Sequence, residues 1–371
     1  MRRYSVFCLA ALSGLLSTPY TASAADAAGK VLFVSNRDGN AQVYLMNADG
    51  SGQRALTVGP AENTEPAWSS DGKRIAFTSY RDGNAEIYVM DTDGANQKRL
   101  TNDRRADNVP TWTADDQIVF RSMRDRNANF FVMDADGGNL KRITDDRLDK
   151  TPPVPSPDGS RIAYVAFSLE GDRHDIHVVG RDGGGLKNLT AALSKDKKLA
   201  PAWSADGKSV AYMESKGYAL NLRLIDVETG KVNKVTEDAS ASYANAVWSP
   251  DGLRIAYVSS PAGNAVDKAR GDIYVMNADG SGVKNLTANP AEDNYPVWSA
   301  DGTSIFFVSF RDGNAQIYSV TTDGSHEVRL TRNSGQDLML RPHHARPQSP
   351  LSSGLGMAVA ANSHLSVHIK E

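Results

Sequence analysis

The sequence predicts an all-β protein, a β-propeller built from four-stranded antiparallel blades. The first observation is a segment that returns about every 45 residues, the period expected of propeller blades. Its six copies are WSSDGKRIAF (68–77), WTADDQIVF (112–120), PSPDGSRIAY (155–164), WSADGKSVAY (203–212), WSPDGLRIAY (248–257) and WSADGTSIFF (298–307). The second is a series of short apolar runs divided by Asp-Gly turns, which are strong hairpin signals because glycine accepts a positive φ.

Residues 65–101 show one complete repeat. The apolar runs are PAW, RIAFTS, EIYVM and KRL, and the turns between them are SSDG, RDGN and TDGA. Three consecutive hairpins make a four-stranded meander, and neither face of this meander is strongly polar. Such a sheet needs a similar sheet on each side, which a ring of blades provides. All five tryptophans occupy one repeat position, so we expect them to be buried where neighbouring blades meet.

Seven blades are the preferred number, with six and eight as alternatives. Each repeat closes with a threonine preceded by Leu, Ile or Val, at Thr57, Thr101, Thr144, Thr190, Thr236, Thr287 and Thr331. The first repeat starts at VLFVS (31–35) and lacks an inner strand. We expect residues 336–342 to supply that strand and close the ring, since closure removes an exposed sheet edge. The propeller is thus predicted over 25–342, followed by an irregular or disordered tail at 343–371.

The N-terminal segment, residues 1–24, is predicted to be a secretory signal peptide. Arg2 and Arg3 precede an apolar run (6–16), and small residues (22–24) occupy the expected cleavage point. The apolar run is too short to span a membrane. We therefore expect the mature protein to be periplasmic or secreted, with no membrane-spanning segment.

Charge content argues against nucleic-acid binding, and cysteine content argues against stabilisation by disulfides. Lysine and arginine number 41 against 44 aspartates and glutamates, so no basic excess favours nucleic acid. The only cysteine, Cys8, lies inside the predicted signal peptide. The mature chain is therefore expected to be a monomer that depends on packing and ring closure instead of disulfides.

The repeat also resembles a known family. The pattern WSPDGxxIAF, followed by RDGNxxIYVMxxDG and xxLT, is similar to the propeller repeat of the TolB family over about residues 29–340. The resemblance implies a propeller, an envelope compartment, and an envelope protein or peptide segment as partner. TolB proteins of the Tol-Pal envelope system carry an α/β domain before the propeller, and we expect residues 25–30 to leave no room for one here. Similar repeats occur in prolyl oligopeptidase-like enzymes and in oligogalacturonate lyases.

A non-catalytic protein- or ligand-binding module is the expected function. The alternative is a propeller enzyme, or a fragment of one, acting on glycans or peptides. A serine hydrolase needs a G-x-S-x-G nucleophile elbow, which the sequence lacks. His174 and His177 lie three apart on a predicted strand and point to opposite faces, so they do not form a metal site. No cofactor is expected.

Four arginines form the first candidate site. Arg-Asp-x-Asn motifs begin at Arg37, Arg81, Arg124 and Arg311, in the first, second, third and seventh repeats. Ring closure makes those blades neighbours, so the arginines are expected to form one arc on one face. Each arginine either pairs with an acid of the adjacent blade or contributes to a patch for a carboxylate, a phosphate or a partner loop.

A second candidate site lies at the channel mouth. Inner strands line the axis of a propeller, so residues at their start should surround the opening. The candidates are Glu65, Asp107, Asp149, Tyr243, Asn245, Asp293 and Tyr295. They are either solvated acids and turn caps, or a site for a cation or a basic partner segment.

Overall fold

The computed structural model describes residues 29–125, 127–167, 173–217, 219–262 and 270–342. The predicted signal peptide (1–24) and tail (343–371) lie outside the described residues. No helix long and apolar enough to cross a lipid bilayer occurs in the described part of the chain.

Seven sheets with antiparallel neighbours form a ring, which confirms the preferred blade number. Blade 1 contains β1 (Lys30–Ser35), β2 (Gln42–Asn47), β3 (Arg54–Ala55) and, as its inner strand, β29 (Asp337–Pro342). Blade 2 contains β4 (Asn63–Trp68), β5 (Arg74–Ser79), β6 (Glu86–Asp91) and β7 (Lys98–Arg99). Blade 3 contains β8 (Asp107–Trp112), β9 (Gln117–Asp125), β10 (Asn127–Asp134) and β11 (Lys141–Arg142).

The remaining blades follow the same inner-to-outer order. Blade 4 contains β12 (Asp149–Lys150), β13 (Val154–Pro155), β14 (Arg161–Phe167), β15 (His174–Gly180) and β16 (Lys187–Asn188). Blade 5 contains β17 (Lys198–Trp203), β18 (Ser209–Lys216), β19 (Ala219–Asp226) and β20 (Val232–Lys234). Blade 6 contains β21 (Ala241–Trp248), β22 (Arg254–Pro261), β23 (Asp272–Asn277) and β24 (Lys284–Asn285). Blade 7 contains β25 (Asp293–Trp298), β26 (Ser304–Ser309), β27 (Gln316–Thr321) and β28 (Glu327–Arg329).

Blade 4 differs at its inner edge, where two short strands replace one. Pro152 and Pro153 stand between β12 and β13. Proline has no N–H to donate to a sheet ladder, so the inner strand is interrupted there. Both short strands still pair with β14, so the blade keeps its place in the ring.

The ring is closed by the two ends of the propeller. Strand β29 pairs antiparallel with β1, and Val34 lies opposite Leu338. β29 also contacts the inner strands of both neighbouring blades, β25 and β4. The strand expected from residues 336–342 is therefore present as β29, and it covers the edge of β1 that would otherwise be unpaired.

The Asp-Gly turns between first and second strands are stabilised by their own side chains. In blade 2, the Ser69 hydroxyl donates to the Asp71 carboxylate at 2.6 Å, and the Lys73 N–H donates to the same oxygen at 3.0 Å. Gly72 takes a φ of 67°, the left-handed conformation that favours glycine. The same pair recurs as Ser156–Asp158, Ser204–Asp206, Ser249–Asp251 and Ser299–Asp301.

The core lies between blades, where the tryptophans are buried as predicted. Exposure is 4% or less for Trp68, Trp112, Trp203, Trp248 and Trp298. The Trp203 indole N–H donates to the Val154 carbonyl of the preceding blade at 2.8 Å, and the Arg161 guanidinium lies 4.9 Å from the ring centre. Trp112 and Trp298 make the same two kinds of contact. Each such tryptophan therefore joins two blades by packing, a hydrogen bond and a cation–π contact.

Replacement of Trp203 by alanine should lower the free energy of unfolding by roughly 3–5 kcal/mol, through lost burial and the cavity left behind. Urea unfolding followed by circular dichroism measures the change. Leu253→Ala is the matched control, because Leu253 is 67% exposed and its truncation should leave the urea midpoint almost unchanged. An unchanged midpoint in Trp203→Ala would contradict the blade packing.

Truncation after Arg332 removes β29, so it should open the ring and expose the edge of β1. We expect the truncated protein to associate, since an unpaired strand edge is a template for further pairing. Analytical ultracentrifugation measures the association. A chain ending at Ser349, which retains β29, is the control and should match the full chain. A monomeric protein of unchanged stability after truncation at Arg332 would show that β29 is dispensable.

Candidate binding face

Two kinds of loop lie at one end of the ring, which we call the upper face. They are the loops between second and third strands, and the linkers from each outer strand to the next inner strand. In blade 2, the Asn84 side chain donates to the carbonyls of Asp103 and Arg105 in the following linker, at 3.0 and 3.1 Å. Asn40 and Asn314 hold the following linkers of blades 1 and 7 in the same way. The asparagine that ends the Arg-Asp-x-Asn motif therefore bonds the loop between second and third strands to the following linker in these three blades.

The arginine of the motif is held inside its own blade. Arg37 donates through Nε to the Ser35 hydroxyl at 2.9 Å and through Nη2 to Asp337 at 3.0 Å. Its guanidinium lies over the Tyr44 ring, 4.7 Å from the centroid. Asp337 is directly opposite Ser35 in the pairing of β1 with β29, so the register of the sheet places the acid beside the arginine.

The same arrangement recurs in the other three blades with this motif. Arg124 contacts Asp107 at 2.8 Å and Arg311 contacts Asp293 at 3.0 Å. Arg81 instead contacts the amide oxygen of Asn63 at 3.1 Å. Of the two alternatives for these arginines, pairing with an acid of the adjacent blade is therefore wrong. The partner belongs to the inner strand of the same blade, because that strand runs antiparallel to the one that ends at the arginine.

The two predicted candidate sites therefore overlap. Asp107 and Asp293 are fully buried against their arginines and do not face an open mouth. Burial raises the pKa of Asp293 to about 6 despite the nearby Arg311, and it also raises the pKa of Asp107. A buried ion pair of this kind holds the start of the inner strand to the end of the second strand.

Two further mouth candidates are also buried and join neighbouring blades. Glu65 accepts hydrogen bonds from the Thr78 hydroxyl at 2.7 Å and from the Val109 N–H of blade 3 at 2.8 Å. Asn245 donates to the Asn294 side chain of blade 7 at 2.5 Å. Glu65 and Asn245 have φ values of 54° and 51°, at a β-bulge in each inner strand. The bulge turns these side chains toward the next blade.

The other three mouth candidates keep part of their surface exposed. Asp149, Tyr243 and Tyr295 are half-buried on the inner strands of blades 4, 6 and 7. The Tyr243 ring packs against Tyr257 with 5.7 Å between centroids. Burial raises the pKa of Tyr243 and of Tyr295, so both phenols stay protonated at neutral pH.

Several residues of this region were not among the sequence candidates. Tyr80 and Phe310 are exposed by 41% and 37% at the upper face, and Arg121 lies beside the channel. Lys150 and Lys198 are fully buried at the inner-strand position that holds aspartate in blades 1, 3 and 7. An alignment of the repeats against one another would have revealed all five, since each differs in type from the residue that most other blades carry at its position.

The buried lysines reverse the polarity of the arginine motif. Lys150 donates to the Asp146 carboxylate at 2.5 Å and to the Leu148 carbonyl at 2.8 Å. Lys198 donates to the Asp196 carbonyl at 2.5 Å. In blades 4 and 5 the inner strand therefore carries the cation, and the preceding linker supplies the oxygen atoms. Within the described residues, no group of three or more His, Cys, Asp or Glu side chains could hold a metal ion.

The ring of seven antiparallel sheets, with tryptophan contacts between blades, defines a seven-bladed β-propeller. The family model of the TolB beta propeller domain matches residues 10–192 and 159–346. The chain belongs to this family.

Relatives of known name share part of the sequence or the fold. A TolB homolog from Chlorobium luteolum is 29% identical over 160 residues, which are 43% of this chain and 34% of that protein. The chain thus spans about a third of that relative's length. TolB from Acinetobacter baumannii superposes with a TM-score of 0.56 at 18% identity, over 85% of this chain and 67% of that one. An oligogalacturonate lyase from Vibrio parahaemolyticus superposes with a TM-score of 0.66 at 16% identity, over 82% of this chain and 90% of that one. At these identities the structures show a common fold.

Replacement of Asp293 by asparagine tests whether burial raises the pKa of this carboxyl group. The folded-state pKa of about 6 lies above the ordinary value of 3.8, so the folded protein binds this proton more tightly than the unfolded chain. The resulting stability is fully present below about pH 4 and is lost as the pH rises through about 6. The free energy of unfolding of the wild type, relative to Asp293→Asn, should therefore fall over this window by at most roughly 3 kcal/mol.

Urea unfolding between pH 4 and pH 7.5 measures this difference, and Asp279→Asn is the control, which should show no pH-dependent difference from the wild type over this range. The Ser281 hydroxyl lowers the pKa of Asp279, so its contribution is lost as the pH falls below the ordinary value. Parallel pH profiles for the wild type and Asp293→Asn would contradict the raised pKa.

Arginine truncation tests which motif residues are structural. Arg124→Ala leaves the buried Asp107 without its counter-charge, so we expect a loss of roughly 2 kcal/mol or more in the free energy of unfolding. Arg81→Ala removes a bond to a neutral amide, and we expect a loss of about 1 kcal/mol or less. Urea midpoints measure both. Equal losses of unfolding free energy in the two variants would show that the contact of Arg124 with Asp107 stabilises the fold no more than the contact of Arg81 with Asn63.

Proposed function

We propose that the chain is an exported, non-catalytic binding module of the cell envelope. It holds a protein or peptide segment at its upper face, as a monomer and without a cofactor. The observation that carries this proposal is the contrast between a firmly fastened scaffold and the exposed aromatic side chains that it presents. Tyr80 and Phe310 are large hydrophobic residues that remain 41% and 37% exposed next to the paired residues Ser79 with Arg81 and Ser309 with Arg311.

Both aromatic residues lie at the rim of the channel mouth. The Tyr80 N–H donates to the carbonyl of Glu62, the residue directly before the inner strand of blade 2, at 3.0 Å. The Phe310 N–H donates to the carbonyl of Glu292, directly before the inner strand of blade 7, at 3.0 Å. Aromatic residues are enriched in protein interfaces, and a polar rim commonly surrounds them. The pair therefore suits a protein or peptide partner that spans blade 1.

The compartment is proposed from the sequence of residues 1–24 and from family membership. A basic start, an apolar run and small residues are the features of a signal peptide, which directs export. A TolB homolog is among the relatives, and this supports an envelope partner.

The enzyme alternative, on glycans or peptides, has a specific requirement. Catalysis needs acid, base or nucleophile groups gathered around one reacting position. On the upper face, several described charged groups are engaged in ion pairs within the blades, as with Arg124 and Asp107 or Arg311 and Asp293. This engagement supports a binding role over a catalytic one.

The experiment compares partner capture by the tagged wild type and by the double variant Tyr80→Ala with Phe310→Ala. Envelope proteins are cross-linked in cells, purified and quantified by mass spectrometry. The control is Leu140→Ala with Val283→Ala, because these residues are 44% and 58% exposed beside outer strands, away from the mouth. A partner should be lost in the first variant and retained in the second. Turnover of pectin or of a peptide panel by the wild type would instead favour the enzyme.

A further inference from the structure

Arg121 is a charged residue at a repeat position that is otherwise uncharged. It lies on β9, directly opposite Asn108 of the inner strand β8. In blades 1, 2, 5, 6 and 7 the corresponding positions hold Val34, Thr78, Met213, Val258 and Val308. Five blades form the same pairing without a charge, so the fold does not require an arginine here. A residue that breaks the pattern of its own repeat is a candidate for function.

The guanidinium of Arg121 has no acidic partner among the described residues. Its Nε donates to the Asn108 side chain at 3.1 Å, and its Nη1 makes a long contact of 3.4 Å with the Lys150 carbonyl. No Asp or Glu oxygen of the described residues lies within 4.0 Å of it, in contrast to Arg37, Arg124 and Arg311. One arm of the guanidinium fork is therefore left to bind something else.

The side chain of Arg121 is largely surrounded by protein but is still reached by solvent. Burial lowers the pKa of Arg121, while the charges of Glu65 and Asp149 and the Tyr80 phenol act against that shift. Arg121, Asn108 and Asp149 nevertheless remain half-buried and not fully enclosed, and Tyr80 is exposed. Because Arg121 also lies opposite Asn108 on an inner strand, and inner strands line the axis, we place it on the wall of the channel.

The charged groups around Arg121 indicate which kind of ligand would bind there. A desolvated arginine that no carboxylate contacts directly is costly, and a carboxylate matches its planar fork through two hydrogen bonds. Glu65 and Asp149 already bring two negative charges nearby, so a singly charged carboxylate is repelled less than a phosphate dianion. Among the described residues, no group donates a hydrogen bond to the Asp149 carboxylate, which leaves it as an acceptor for N–H groups. A carboxylate next to N–H donors is the signature of an acidic peptide.

We propose that Arg121 binds a carboxylate of an acidic peptide segment at the channel mouth. Asp149 accepts N–H groups of the same segment, and the Tyr80 ring packs against it. This assignment rests on the proposed function, because it specifies the ligand that the upper face holds. Arg121 is then the specificity-determining residue, whereas the motif arginines mainly hold the blades.

The test uses a phage library of random dodecapeptides selected on the full wild-type chain. For the tightest peptides, dissociation constants are measured for the acidic form and for a form with the acid replaced by its amide. Both are measured on the wild type and on Arg121→Met, which installs the residue that blade 5 carries at this position. Arg81→Ala is the control, as an exposed arginine of the neighbouring blade. Melting temperatures show that each variant folds, and Arg121→Gln replaces Arg121→Met if that variant does not.

The proposal expects the wild type to prefer the acidic form by about tenfold or more, since a charged hydrogen bond is lost with the amide. The preference should fall below about twofold in Arg121→Met or Arg121→Gln and persist in Arg81→Ala. Peptide binding with no acidic preference, or with a preference that survives loss of Arg121, overturns this inference and leaves the proposed function standing.

Two other results are also decisive. If the wild type selects no peptide and captures no envelope partner, the proposed function fails and the inference fails with it. If free succinate binds with the same dependence on Arg121 while no peptide does, the carboxylate chemistry holds but its assignment to a peptide is overturned.

Discussion

The pairing of β1 with β29 is the contact on which the rest of the structure depends. Every blade has two weakly polar faces, so each needs a neighbour on both sides, and an open ring would leave two faces uncovered. The ion pair of Arg37 with Asp337 joins residues 300 positions apart across this pairing. Closure also makes blades 7, 1 and 2 adjacent, which brings Tyr80 and Phe310 to the same side of the mouth.

Buried charges near the start of the inner strands are paired in two different ways. The inner strands of all blades except blade 6 carry a buried polar residue at or near their start, and a buried charge must be paired. Blades 1, 3 and 7 pair an aspartate with an arginine from the following loop, whereas Lys150 and Lys198 donate to the preceding linker. The buried charges near the start of these five inner strands are therefore engaged in structural contacts. Arg121 differs, because its charge has no such structural partner among the described residues.

Sequence alone predicted the blades well, because the signals are local and repeated. Asp-Gly turns, apolar runs and the tryptophan position each act within a few residues of the chain, and six copies reinforce one another. The partners at the site were harder to predict. The contact of Arg124 with Asp107 depends on the register between two strands, and the burial of Glu65 depends on a bulge that no turn residue announces. Arg121 was visible in the sequence but only by comparing repeats position by position.

Hydrogen–deuterium exchange tests ring closure most directly. The amides of β29 that bond to β1 are compared with those of β4, the inner strand of blade 2, across a series of low urea concentrations. If the ring is closed as described, both strands should exchange slowly and open together in the global unfolding reaction. Fast exchange of β29 while β4 stays protected would mean that blade 1 lacks its inner strand in solution, and it would contradict the closed propeller.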